Sequence, residues 1–174
     1  MKKEQIIYIS LLLIGASLLR FIPHPPNMTP IIAIGILSVA CFQSRLFQFG
    51  FPLLIMIITD AIIGFHTLIP VVYLSIVVAS LSGFILKHKY SIINGLGCSL
   101  LSSILFFTIS NFGVWAIGNL YPKTLTGLIH CYIAAIPFFH NTVISTSVII
   151  IAILSTTKLL ERNLTKTKLP NINT

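Results

Sequence analysis

Charges punctuate this chain sparsely and leave long apolar stretches between them. Uncharged runs cover residues 5–19, 21–44, 46–59, 61–86, 90–122 and 124–157. A membrane-spanning helix needs about 20 apolar residues, somewhat fewer where the bilayer is locally matched. Within the longer runs, Pro, Gly and Asn mark the turns. The pattern predicts helices over residues 6–22, 30–42, 49–64, 69–86, 91–110 and 137–160. It leaves 111–136 as a long loop, with room for a short interfacial or re-entrant helix at 126–136. Lys2 and Lys3 followed by the apolar run 6–14 resemble the start of a signal peptide, with Gly15-Ala16-Ser17 as a cleavage site. The run continues through Leu18, Leu19, Phe21 and Ile22, so an uncleaved first helix is expected.

Composition sharpens this picture. Of 174 residues, 56% are hydrophobic and 8% charged, against roughly 25% charged in soluble domains. So little charge cannot cover a water-facing surface, which excludes a soluble enzyme, a nucleic-acid-binding domain and a disordered tail. The length fits one domain. The net charge of +8 then reads as membrane orientation rather than affinity for nucleic acid. Lys2, Lys3, Arg45, Lys87, Lys89, Lys158, Arg162, Lys166 and Lys168 fall on one side of the expected helices, and Arg20 and Lys123 on the other. The positive-inside rule places both termini in the cytoplasm. That requires an even number of spans, six by this count and four as the fallback. The expectation is an all-α, polytopic six-helix bundle in a bacterial cytoplasmic membrane.

Polar and helix-breaking residues gather on the side assigned to the outside. Asp60 follows a run of Ile, Leu and Met, and a carboxylate at membrane depth needs an interior position and a partner. Two readings stand side by side: a ligand contact, or a structural ion pair with Arg20. Arg20 itself reads as a snorkelling side chain or as a donor to a ligand carboxylate or phosphate. His24 sits in Pro23-His24-Pro25-Pro26, a rigid segment unable to form a helix, with Asn27 and Thr29 beside it. That segment is either a binding-loop wall or a stiff connector. His66 lies six residues beyond Asp60, and His140 and Asn141 follow Pro137. For each histidine alone, a structural role outweighs a ligand role. Together with Asp60 they make a transition-metal site conceivable, though no spacing supports it.

Asn111 and Trp115, four apart, share a face if helical. Trp115 reads as a pocket residue and Tyr121 as part of an interfacial aromatic belt, with Lys123 adding charge to the same loop. Cys41, Cys98 and Cys131 read as small apolar residues inside helices. Small-residue ladders at Ala79 and Gly83, and at Gly95, Ser99 and Ser103, read as helix-packing surfaces. No P-loop, H-E-x-x-H or G-x-S-x-G motif occurs. No internal repeat supports an inverted-repeat transporter.

Several strings in one order carry a family resemblance. They are Arg20 with Pro23-His24-Pro25-Pro26-Asn27-Met28-Thr29-Pro30, Asp60 with Gly64-Phe65-His66, Asn111-Phe112-Gly113-Val114-Trp115, Tyr121-Pro122-Lys123-Thr124, and Ile136-Pro137-Phe138-Phe139 with Asn141-Thr142. In these the chain resembles an uncharacterised bacterial family of transport-type membrane proteins. That family is similar to the substrate-binding S components of energy-coupling-factor vitamin transporters. The resemblance implies a six-helix protein that captures a vitamin or related small molecule near the outer face. It carries over a region, not individual ligand contacts. In S components an Ala-x-x-x-Ala pattern on the first helix meets a membrane coupling subunit served by ATPases. Here Leu12 and Ala16 occupy that spacing without an Ala pair, so a coupled and a solitary transporter are both kept.

The leading expectation is therefore a substrate-binding transport protein with no catalytic residue and no cofactor. Its candidate site residues are Arg20, His24, Asn27, Asp60, His66, Asn111, Trp115, Lys123, His140 and Asn141. Its partners are a small-molecule substrate and the lipid bilayer, with or without the coupling subunit, and not nucleic acid. The alternatives are a membrane enzyme or metal-binding protein using Asp60 and the histidines, and a structural subunit of a membrane complex.

Overall fold

Residues 31–41 carry no charge and a single hydroxyl, at Ser38. A helix apolar on every side has no face for water and is buried all round. In the computed structural model this segment is α2 (Ile31–Cys41), and all of its residues are buried. It forms the axis of an all-helical fold, packed by α1 (Lys3–Ser17), α3 (Arg45–Ile63), α4 (Ile69–Ser80), α5 (Gly83–His88), α6 (Ile92–Ile117) and α7 (Leu125–Thr167). The structure describes residues 3–167. Lys2 and Lys168, both used in the orientation reading, lie outside the described residues.

Four segments are long and apolar enough to cross a membrane: Arg45–Ile63, Ile69–His88, Ile92–Ile117 and Leu125–Leu160. Their outward faces carry Ile57, Ile62, Ile93, Leu100, Ile133 and Val148, all exposed. Apolar surface on that scale belongs against lipid or protein rather than water. Ile6–Phe21 and Ile31–Cys41 are shorter apolar helices. At 1.5 Å per residue, α2 is about 16 Å long, roughly half a hydrocarbon core. Its C-terminal end is completed from elsewhere: the Phe42 carbonyl accepts from Gln48 Nε2 at 2.8 Å and Lys87 Nζ at 3.3 Å.

The Ile69–His88 segment, expected as one helix over 69–86, breaks at Leu81 and Ser82 into α4 and α5. Here the backbone switches to i→i+3 bonds, such as Phe84 N to Leu81 O at 3.1 Å. Backbone carbonyls at the break find partners on α6: Ser102 Oγ donates to Ala79 O at 2.7 Å and Cys98 Sγ to Ser82 O at 3.2 Å. Such rescue by neighbouring helices lets a broken helix persist in an apolar setting. Just past the break, α5 comes so close to α2 that a Cβ on Gly83 would strike the Ile36 carbonyl. Gly95 likewise faces α7, at Ile150 and Leu154.

Other boundaries differ from the expected ones. The first helix ends at Ser17 and tightens into a 3-10 turn, Leu18–Phe21. The third starts at Arg45 rather than 49 because Ser44 already accepts the first helical bond, from Gln48 N at 3.0 Å. The largest correction concerns the loop expected at 111–136. Helix α6 continues to Ile117 and α7 begins at Leu125, so only 118–124 connects them. No separate interfacial helix occupies 126–136, which forms the first turns of α7. Thr124 starts that helix, accepting Gly127 N on its hydroxyl at 3.2 Å. Pro137 lies inside α7 and does not end it. Proline costs a helix one N–H, and packing along α6, the most extensive helix pair of the fold, holds α7 together through it.

Candidate functional site

Arg20 closes the 3-10 turn after α1, and Asp60 lies in the last turn of α3. Both are side chains that an apolar environment tolerates only when paired. Arg20 Nη2 meets Asp60 Oδ1 at 2.8 Å, with 12% and 5% of the two side chains exposed. Arg20 Nη1 donates to Thr59 Oγ1 and lies 2.9 Å from Met56 Sδ. The other carboxylate oxygen, Asp60 Oδ2, accepts from Tyr73 Oη at 3.0 Å. Of the two sequence readings of Asp60, the structure displays the ion pair with Arg20. The network ties the 3-10 turn after α1 to α3 and α4 at one end of the bundle.

At this same end the proline-rich segment crosses between the 3-10 turn and α2. Asn27 has φ +61°, the left-handed region that Asn tolerates better than most residues. A turn from Met28 N to Pro25 O (3.0 Å) sets the local path. From α7, Asn141 Nδ2 donates to Pro26 O at 3.0 Å and Ser145 Oγ to Thr29 O at 3.2 Å. These bonds hold the segment against α7, leaving Asn27 exposed above the bundle.

Between that segment, α4, α6, α7 and the 118–124 connection lies a cavity of about 280 Å³. Its walls are largely apolar, formed by side chains such as Val72, Phe106, Val114 and Phe138. The polar groups in its lining come from Asn27, Ser110, Asn111 and Tyr121, with the Cys131 thiol. An apolar cavity with a few convergent polar groups is the usual form of a small-molecule site. A second cavity, bounded by His66, Thr67, Leu68, Ile117, Gly118 and Asn119, adjoins it through Leu68. A third, of about 340 Å³, runs between α1 and α3 and is lined almost wholly by apolar side chains such as Leu18, Leu54 and Ile58.

The connection over the first cavity is itself bonded shut. Trp115 Nε1 donates to Pro122 O at 2.9 Å, and Lys123 Nζ donates to the carbonyls of Trp115 and Gly118. The Lys123 ammonium also lies 5.9 Å from the Trp115 ring centre. Gly127 packs so closely below that a Cβ there would strike the Pro122 carbonyl.

Of the residues nominated from sequence, Asn27 and Asn111 meet at the cavity. Trp115, expected in the pocket, instead fastens the connection, while Tyr121, expected in the aromatic belt, lines the cavity. Lys123 is turned onto backbone carbonyls, and Asn141 tethers the proline-rich segment. Arg20 and Asp60 are spent on each other. His24 and His140 are exposed and line neither cavity at this end, and His66 borders only the second one. The three histidines and Asp60 do not converge: among the described residues no group of three or more His, Cys, Asp or Glu could hold a metal ion. Sequence reasoning missed Tyr73 and Ser110. A phenol within the apolar run Val71-Val72-Tyr73-Leu74 was the available signal for the first; an ordinary Ser in a helix gave none for the second.

One family model matches residues 1–169, that of a family of unknown function, DUF6580. The match spans nearly the whole chain, and the chain belongs to this family. No curated protein and no solved structure matches it.

Proposed function

We propose that this DUF6580 member is a substrate-binding membrane transport protein of the S-component type. In this reading six helices lie in the bacterial cytoplasmic membrane with both termini in the cytoplasm, and α2 is the short, central one. A small organic molecule enters from outside into the cavity beneath the 118–124 connection. The observation that carries the reading is that cavity, apolar walls with Asn27, Ser110, Asn111 and Tyr121 in its lining. It lies at the end of the bundle that the basic residues assign to the outside. The string resemblance to S-component-like proteins points the same way. Inward release requires movement of the bundle, with or without a coupling subunit and its ATPases.

The test is ligand-dependent thermal stabilisation of the detergent-purified chain against vitamins, their precursors, nucleobases and amino acids. Binding to the folded state at a hundredfold excess over Kd stabilises by about 2.7 kcal/mol. A hit whose affinity falls about three- to tenfold in Asn111→Leu supports the reading. A hit of unchanged affinity there and in Asn27→Gly removes the cavity from it, and a folded protein with no hit across the screen counts against binding altogether.

A further inference from the structure

We propose that the ligand of this cavity is uncharged and presents a cyclic amide edge, an N–H beside a C=O, as lactams, imides and pyrimidinones do. The proposal rests on the binding role argued above and narrows its substrate class.

The first argument is electrostatic. Among the described residues lining the cavity there is no Asp, Glu, Lys, Arg or His. The charged groups nearest this end are already engaged. Arg20 is held by Asp60, Thr59 and Met56, the second Asp60 oxygen is taken by Tyr73, and Lys123 is turned onto two backbone carbonyls. An ionised ligand placed here would give up part of its hydration with no charged side chain in the lining to pair with it, the one nearby ammonium, Lys123, already being bonded to two backbone carbonyls. A neutral molecule avoids that loss.

The second argument is the hydrogen-bond inventory. Asn111 Nδ2 donates to Phe107 O at 2.8 Å, which uses one N–H and leaves its Oδ1 as an acceptor. Ser110 Oγ donates to Phe106 O at 2.6 Å, so this hydroxyl is left to accept. The α6 wall therefore offers acceptors. Asn27 comes to the same cavity from a separate segment with an amide that both donates and accepts. An amide side chain pairs in two-bond fashion with a heterocycle edge carrying one donor and one acceptor. The backbone around Asn27 is fixed by the Pro25–Met28 turn and the bonds from Asn141 and Ser145, so little ordering is left to cost affinity.

The third argument is size and shape. About 280 Å³ lies at the small end of ligand cavities. Val72, Phe106, Val114 and Phe138 supply apolar surface for the faces of a flat ring.

The experiment compares matched pairs on the purified chain by thermal shift and calorimetric titration: uracil against orotate, and 2-pyrrolidinone against pyroglutamate. The expected result is binding of a neutral member, with its carboxylate partner at least about a hundredfold weaker. Asn111→Leu and Asn27→Gly are each expected to weaken the neutral ligand about three- to tenfold. Glycine is chosen at 27 because it keeps the positive φ. A carboxylate that binds as tightly as its neutral partner overturns the proposal, as does unchanged affinity in both variants. If the pairs are silent while the broader screen finds a charged ligand, the proposal falls and the binding role stands. If both are silent, both fall.

Discussion

Breaking the Arg20–Asp60 pair separates a structural role from a ligand role for the only acidic residue between Glu4 and Glu161. Both side chains are nearly buried, their atoms meet at 2.8 Å, and Tyr73 covers the second carboxylate oxygen. Asp60→Asn leaves a buried guanidinium facing Thr59 and Met56; Arg20→Met leaves a buried carboxylate with one phenol. Removing one partner of such a pair costs about 3 kcal/mol or more. The double variant removes both charges and is expected to lose about 2 kcal/mol less than the two single losses added together. Tyr73→Phe, which deletes one bond to a charged acceptor, is expected to cost about 1.5 kcal/mol. Unfolding of the four proteins in mixed micelles, followed by tryptophan fluorescence and circular dichroism, measures the cycle. Strict additivity would refute the reasoning, because it would mean that the two charges do not stabilise each other. A ligand found by the screen should bind folded Asp60→Asn within about threefold of the unmodified chain, since Asp60 is paired with Arg20 and is not among the residues lining the cavity. Its loss in that variant would return Asp60 to the binding site.

Four further outcomes follow from other parts of the molecule. Gly83→Ala is expected to destabilise by about 1–3 kcal/mol because its Cβ meets a backbone carbonyl. Gly97→Ala, with open space around the new methyl, should be neutral or stabilise by up to about 1 kcal/mol in the same thermal melts. Lys123→Met should loosen the connection over the cavity, read as faster amide exchange at 119–124 with unchanged exchange in α2. Single cysteines introduced as Asn119→Cys and Gln43→Cys, both at exposed positions, should label with an impermeant maleimide from opposite faces of the membrane; labelling from one face would overturn the proposed orientation.

The helical class was legible because uncharged runs of this length admit few alternatives, and α2 was placed within a residue at each end. Rules for isolated helices failed where a neighbour overrides them. Pro137, Asn111 and Gly113 read as breakers, yet all three lie inside helices. Asn111 satisfies itself by donating to Phe107 O, and Gly113 admits the Val71 side chain at the crossing of α4 and α6. The opposite error occurred at Leu81 and Ser82, which look like ordinary helix in sequence. Their break depends on Ser102 and Cys98, distant in the chain. At the candidate site, the Arg20–Asp60 pair was one of two readings because only one base sat at matching depth. Trp115 was expected in the pocket and fastens the connection, and Tyr121 was expected in the aromatic belt and lines the cavity, because nothing local tells whether a ring faces a cavity or closes a loop above it.

The short central helix has a consequence for the order of assembly. Most of what covers α2 is synthesised after it, since α3 through α7 follow in the chain. In a bilayer, a helix about 16 Å long would strand its terminal carbonyls in hydrocarbon. The partners that relieve the Phe42 carbonyl, Gln48 and Lys87, arrive with α3 and with the last turn of α5. Seating of α2 is thus conditional on segments not yet made when it emerges. A nascent chain halted between residues 42 and 87 holds its future core as an unfinished helix, the state in which membrane quality control has most to recognise.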